Sequence, residues 1–154
     1  MIIAFFLLAA LLSSAACVWA DGIRMLNKTT AEVTLDGGQR MYVDFYGPHT
    51  FRVFQDPNGG IIRDPKASPE AQILVNNPRR DAGEVVLDAE AATLTTKEIV
   101  VKVNTKTGQI QALKGGKVIV DQVVPTEFGK KRTTVKFAQD EDDYFFGGGV
   151  QNGR

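Results

Sequence analysis

Apolar and polar residues alternate along most of this chain with a period of two. Met41, Val43 and Phe45 fall on one face of an extended segment, and Tyr42, Asp44 and Tyr46 fall on the other. After the Gly47-Pro48 break, Phe51 and Val53 continue the pattern in a second strand. Further apolar runs fit strands at Ile73–Val75, Val85–Leu87 and Ile99–Val103, and a final one at Thr133–Phe137. Gln109–Leu113 and Lys117–Val120 flank Lys114-Gly115-Gly116, which reads as a tight hairpin turn. Turn signals punctuate the rest: Asp36-Gly37-Gly38, Asp56-Pro57-Asn58-Gly59-Gly60, Asn76-Asn77-Pro78 and Thr107-Gly108. Outside the first twenty residues no helical stripe runs for three turns. Asp88–Thr95 is the nearest candidate, and it is short. Short strands with turns between them predict an all-β fold, an antiparallel β-sandwich. The stretch from Asp56 to Arg80 is the weakest in pattern and carries Pro57, Pro65, Pro69 and Pro78. A loop that long in a compact domain tends to be functional or flexible.

Residues 1–20 carry no charge, and Ile2 to Leu12 is an unbroken apolar run. Small residues follow, and Val18-Trp19-Ala20 suits a signal-peptidase cut after Ala20, although no Lys or Arg precedes the apolar run. The expectation is an exported protein, periplasmic or secreted. An uncleaved signal anchor is the rival, since about 20 apolar residues span a bilayer. The only cysteine, Cys17, lies in this segment. A lipid-anchor reading would cut before Cys17, but that pattern prefers a branched apolar residue where Ser14 stands. A cut after Ala20 leaves a mature chain without thiols, hence without disulfides or thiolate chemistry. Such a domain is stabilised by its core alone, which 154 residues make feasible.

The 18 basic and 18 acidic residues cancel. There is no basic stripe, so nucleic acid is not an expected partner. His49, the only histidine, sits in a turn and builds neither a histidine metal site nor a Ser-His-Asp triad without residues from elsewhere. The acidic run Asp140–Asp143 has Phe145 at the sixth position, where a calcium loop needs glycine. It reads as a solvated turn. Gly147-Gly148-Gly149 lacks both the third glycine of a dinucleotide fingerprint and the Gly-Lys-Ser/Thr end of a phosphate loop. No cofactor and no metal are expected. Asn27-Lys28-Thr29 is a glycosylation sequon, relevant to a eukaryotic source. Tyr42, Phe45, Tyr46, Phe51 and Phe54 crowd one hairpin. Phe45, Phe51 and Val53 fit the sandwich core, while Tyr42 and Tyr46 remain open as a surface on which a sugar ring stacks.

Three segments in order resemble glycoside hydrolase family 31. Met41–Val53 resembles the strand, turn and Phe-Arg-Val hairpin that opens that family, preceded by a short leading strand. Leu94–Asn104 resembles its threonine, strand, turn, glycine and strand segment. Asp140–Tyr144 followed by Phe145-Phe146-Gly147-Gly148-Gly149 resembles its acidic-aromatic-glycine junction. In many members the junction reads like Tyr-Gly-Leu-Gly-Glu. The variant Gly147–Arg154 found here is associated with exported bacterial members.

The resemblance covers roughly residues 30–154. It implies a signal peptide over 1–20 and an N-terminal β-sandwich of the galactose-mutarotase-like kind over 21–143. Residues 144–154 would then lead into a (β/α)8 barrel that is not in this chain. It implies a retaining hydrolase of α-linked oligosaccharides, whose two catalytic aspartates lie in the barrel. This domain would pack on the barrel and shape substrate access without doing chemistry, and after signal cleavage would have no membrane attachment. On that reading Gly148, Gly149, Gln151, Asn152 and Arg154 are candidates for the substrate rim, and no catalytic residue is present. A stand-alone carbohydrate-binding module and a structural β-sandwich remain as alternatives.

Overall fold

A computed structural model describes residues 22–60 and 80–141. The described chain is all-β, with eleven strands and only antiparallel pairings between them. β1 (Ile23–Met25), β2 (Thr30–Thr34), β3 (Arg40–Gly47) and β4 (Thr50–Gln55) form a four-stranded sheet in sequence order. β5 (Val86–Asp88), β6 (Thr93–Thr95), β7 (Val100–Val103), β8 (Ile110–Lys114) and β9 (Lys117–Asp121) form a five-stranded sheet, also in order. A small hairpin, β10 (Glu127–Phe128) and β11 (Thr133–Thr134), follows.

The register shows how the alternating sequence becomes a core. In the first sheet Ala31, Val43 and Val53 lie opposite one another across three strands, and Phe45 faces Phe51. In the second, Leu94, Val101, Ala112 and Val120 make the matching row. Val33, Met41, Val43, Phe45, Leu94 and Val101 are fully buried, and both sheets contribute to one continuous apolar cluster. Two sheets packed face to face through such rows are a β-sandwich. Each large side chain buried there stabilises the fold by about 1.5–3 kcal/mol relative to exposure.

Contacts beyond the core tie the sheets together. Gly108, with φ of +75°, passes so close to the first sheet that a Cβ there would lie 3.0 Å from Leu35 Cδ1 and 3.2 Å from Met41 Sδ. Buried Thr96, in the β6–β7 turn, donates its hydroxyl to the carbonyl of Pro48 in the β3–β4 turn. Its Oγ1 in turn accepts from the backbone NH groups of Glu98 and Ile99.

The antiparallel all-β expectation holds, and so do most strand positions. Lys114 pairs with Lys117, leaving Gly115-Gly116 as a two-residue turn with φ of +55° and +81°. Positive φ at both central residues matches the strand twist in such a turn. Several expectations need correction. The Val85–Leu87 strand runs one residue later, over Val86–Asp88. The Thr133–Phe137 strand is interrupted: only Thr133–Thr134 pairs with β10, and Phe137 makes a separate bridge to Gln122. Asp88–Thr95 is not helical: Asp88 ends β5, residues 89–92 form a turn, and Thr93–Thr95 is β6, with Leu94 paired to Val101. β1 and β2 lacked a clear pattern in the sequence. Ile73–Val75 lies outside the described residues.

Candidate functional site

The outward face of the four-stranded sheet concentrates the polar chemistry. Pleating sends Arg24, Glu32, Tyr42 and Phe54 to this face as one cross-strand row, and Thr30, Asp44 and Arg52 as the next. The face opposite a core is normally solvated, yet Glu32, Tyr42 and Asp44 are buried.

Asp44 is the centre of the arrangement. Arg80 donates Nη1 to Asp44 Oδ1 at 2.6 Å and Nη2 to Oδ2 at 3.0 Å, a two-pronged grip. Arg52 Nη2 donates to Oδ2 at 3.2 Å, and the Thr30 hydroxyl donates to Oδ1 at 2.8 Å. Burial pushes the Asp44 carboxyl toward protonation. The hydrogen bonds from Arg80 and Thr30 and the charges of Arg80 and Arg52 outweigh it, so its pKa lies below the usual carboxylate value. Tyr46 supplies the floor, with the Arg80 guanidinium 4.4 Å and that of Arg52 5.6 Å from its ring centre. Arg52 Nε is buried without a hydrogen-bond partner.

Glu32 is the second centre. Arg24 donates Nε and Nη2 to Glu32 Oε1 at 2.8 and 2.6 Å, and Arg40 stands 3.8 Å from Oε2. The Tyr42 hydroxyl hydrogen-bonds the same carboxylate. Burial raises the Tyr42 pKa, and the hydrogen bond and negative charge of Glu32 add to the rise, with Arg40 and Arg24 opposing in part. Phe54 packs beside Tyr42 with ring centres 6.2 Å apart.

This geometry decides what the face does chemically. Both Asp44 oxygens are engaged and its carboxyl is held ionised, so it does not act as a general acid. Glu32 is similarly occupied. Tyr42, open in the sequence as a sugar platform, is buried with its hydroxyl engaged, so that expectation is overturned. Tyr46 is half-buried and its ring carries two arginines. His49 sits exposed in the two-residue turn between β3 and β4, as expected. Asp140 and Glu141 are exposed. Among the described residues no group of His, Cys, Asp and Glu side chains is placed to hold a metal. The rim candidates Gly148, Gly149, Gln151, Asn152 and Arg154 lie outside the described residues.

The sequence reading missed the Asp44 centre. A signal was present: Asp44 and Arg52 sit at positions that a β3–β4 hairpin places opposite each other. Arg80 carried none, being 36 residues from its partner.

A second feature lies on the side of the sandwich where β4 and β9 end their sheets. An apolar groove of about 440 Å³ runs between them, lined by Phe51, Val53, Val120, Phe128, Val135 and Phe137 among others. Phe51 and Val53 were expected in the core. Phe51 is partly buried and packs against the core, its ring centre 5.8 Å from that of Phe45, whereas Val53 is 36% exposed at the groove.

Comparison with known proteins found no matching family model and no matching curated relative.

Proposed function

We propose that this chain is the N-terminal, non-catalytic β-sandwich of an exported retaining α-glycosidase of the family 31 kind. The observation that carries the reading is the local form of the two resembling segments. Met41–Val53 is an antiparallel hairpin turned at Pro48-His49, and Leu94–Asn104 runs from β6 through a turn into β7, with Gly108 and β8 following. Both sit in one sandwich, joined where Thr96 meets Pro48.

The chemistry of the described carboxylates fits an accessory role. Retention requires a nucleophile and an acid/base roughly 5–5.5 Å apart, one of them able to donate a proton. Asp44 and Glu32 are each tied to arginine and serve the sheet instead. The catalytic pair of the intact enzyme would come from its barrel. The substrate would be an α-linked oligosaccharide, with Gln151, Asn152 or Arg154 at its rim and Gly148-Gly149 allowing close backbone approach. A stand-alone sugar-binding module finds less support, since Tyr42 is not available for stacking.

The test is an assay of the intact product of the full reading frame on p-nitrophenyl α-glucoside, α-xyloside and α-galactoside, with the anomer of the product followed by NMR. Hydrolysis with retention is expected, and Gln151→Ala or Asn152→Ala should lower kcat/KM. An intact protein inactive on every α-glycoside, with residues 21–154 binding free glycans instead, would replace this reading with the binding module.

A further inference from the structure

Apolar residues dominate the groove between β4 and β9, and charge gathers beside one part of it. Val53, Val135 and Phe137 line it and are 36%, 44% and 52% exposed. Its volume of about 440 Å³ lies within the roughly 300–1,000 Å³ of small-molecule sites. Gln122 and Thr126, two of its polar lining residues, hydrogen-bond each other at 3.2 Å, and the Gln122 amide also donates to the Val124 carbonyl at 2.9 Å. Apolar surface left open in this way marks a place where something apolar binds.

The β10–β11 hairpin supplies the charge. Phe128 pairs with Thr133, and both line the groove. The next step along the hairpin is its turn, where the Gly129 NH donates to the Arg132 carbonyl at 2.9 Å and Lys130-Lys131 forms the tip. Lys130, Lys131 and Arg132 are exposed, and among the described residues none of them forms an ion pair. Glu127 is the only acid between Gln122 and Ala138. It precedes Phe128 in β10, so pleating turns it to the other face of the hairpin. Three neighbouring cations thus stand beside an apolar groove that no carboxylate lines, in a chain whose charges otherwise cancel.

We propose that this groove binds a single anionic amphiphile, a linear alkyl chain with a carboxylate head. The chain lies against Val53, Phe128, Val135 and Phe137, and the head meets Lys130, Lys131 and Arg132 at the hairpin turn. Burial of methylenes supplies the affinity, and the cations fix the direction of entry. Long lysine stems reach a head at the hairpin turn while covering the rim of the groove. A wholly apolar ligand gains nothing from the cations, and a neutral glycan gains nothing from the apolar wall. The site does not depend on whether the intact protein is a glycosidase.

Titration of the full chain with decanoate, kept monomeric below its aggregation threshold, tests the proposal by calorimetry and by NMR of the Val53 and Val135 methyl groups. Saturable binding that moves both methyl signals is expected, each added methylene from hexanoate to decanoate tightening it about fourfold. Decanol should bind more weakly than decanoate. Lys130→Glu, Lys131→Glu and Arg132→Glu together should weaken decanoate about tenfold, the sum of three modest exposed-charge attractions, and leave decanol unchanged. Lys97→Glu, Lys102→Glu and Lys106→Glu together are the control, since they change the same charge at exposed positions of the other sheet and its turns and should leave decanoate binding as it is. Val53→Asp should abolish binding of both ligands with the β-sheet circular dichroism kept. Equal loss in the triple variant and its control, or equal affinity for decanoate and decanol, overturns the proposal and leaves a nonspecific apolar surface. Absence of saturable binding, or binding that leaves the Val53 and Val135 signals unmoved, overturns it and leaves the groove to a protein partner. Binding that begins only with micelles or anionic vesicles overturns it in favour of a lipid surface.

Discussion

The two sheets are built on different logics. In the five-stranded sheet, burial follows the pleat: Val101 and Val103 are buried while Lys102 between them is exposed. In the four-stranded sheet, β3 is buried without interruption from Met41 to Phe45. One face of β3 packs on the core, and the other is closed by paired charges and aromatic rings. A period-two sequence thus has two outcomes. Where the polar positions are lysine and glutamine, the outer face is solvated. Where they are Glu32 and Asp44, flanked by Arg24, Arg52 and Arg80, the outer face becomes a second, electrostatic interior.

The largest blow to this contrast should come from the shared core. Phe45→Ala is expected to cost about 3–5 kcal/mol, as for other aromatic truncations in packed interiors. Lys102→Ala, on the solvated face of the other sheet, should stay within about 0.5 kcal/mol. Urea unfolding of both variants measures the difference directly.

The electrostatic interior comes next. Asp44→Ala strips two arginines of their shared partner. Breaking a buried pair costs up to about 3–5 kcal/mol. Here the guanidinium side chains are 25% and 30% exposed, so solvent screening reduces the expected loss to about 2–3 kcal/mol. The pH dependence sharpens the point. The Asp44 pKa is lower folded than unfolded, so its contribution is complete above the unfolded value near 3.8 and fades as pH falls through the folded one. Asp44→Asn should therefore flatten the acid limb of the stability curve below pH 3.8 and leave its slope between pH 5 and 8 unchanged. A variant with an acid limb as steep as the parent's would assign that limb to other carboxylates.

Smaller effects probe the seams. Gly108→Ala adds a Cβ against Leu35 and Met41 at a φ that disfavours it, for an expected loss of about 1–3 kcal/mol. Tyr42→Phe removes one hydrogen bond to Glu32 and should cost about 1 kcal/mol. Because the folded Tyr42 pKa is raised, the stabilisation from the neutral phenol is present below pH 10.0 and lost as pH climbs through the folded value. Tyr42→Phe should remove that alkaline loss. Thermal melts at pH 7 and above pH 10 separate the two effects.

Many strand positions were open to reading, since β3, β4 and β8 alternate and β7 and β9 are short apolar runs, all bounded by turn residues. β1, β6, β10 and β11 have two or three residues each and hold no periodic signal. They exist because a neighbouring strand offers an edge. The same limit explains the misread aromatics. Period two correctly puts Tyr42 opposite to Phe45, but says nothing about whether the second face is wet.

The sequence by itself determined the all-β class, the Gly115-Gly116 turn and the inward set Met41, Val43 and Phe45, because these depend on local backbone preference and a two-residue period. Only the tertiary structure decided that Asp44 is a buried, doubly gripped carboxylate, that Tyr42 is enclosed, and that Val53 borders a groove instead of filling the core. Those outcomes depend on which distant residue arrives at a position, and Arg80 meets Asp44 across 36 residues. Burial and ion pairing are properties of such meetings, and local pattern carries no record of them.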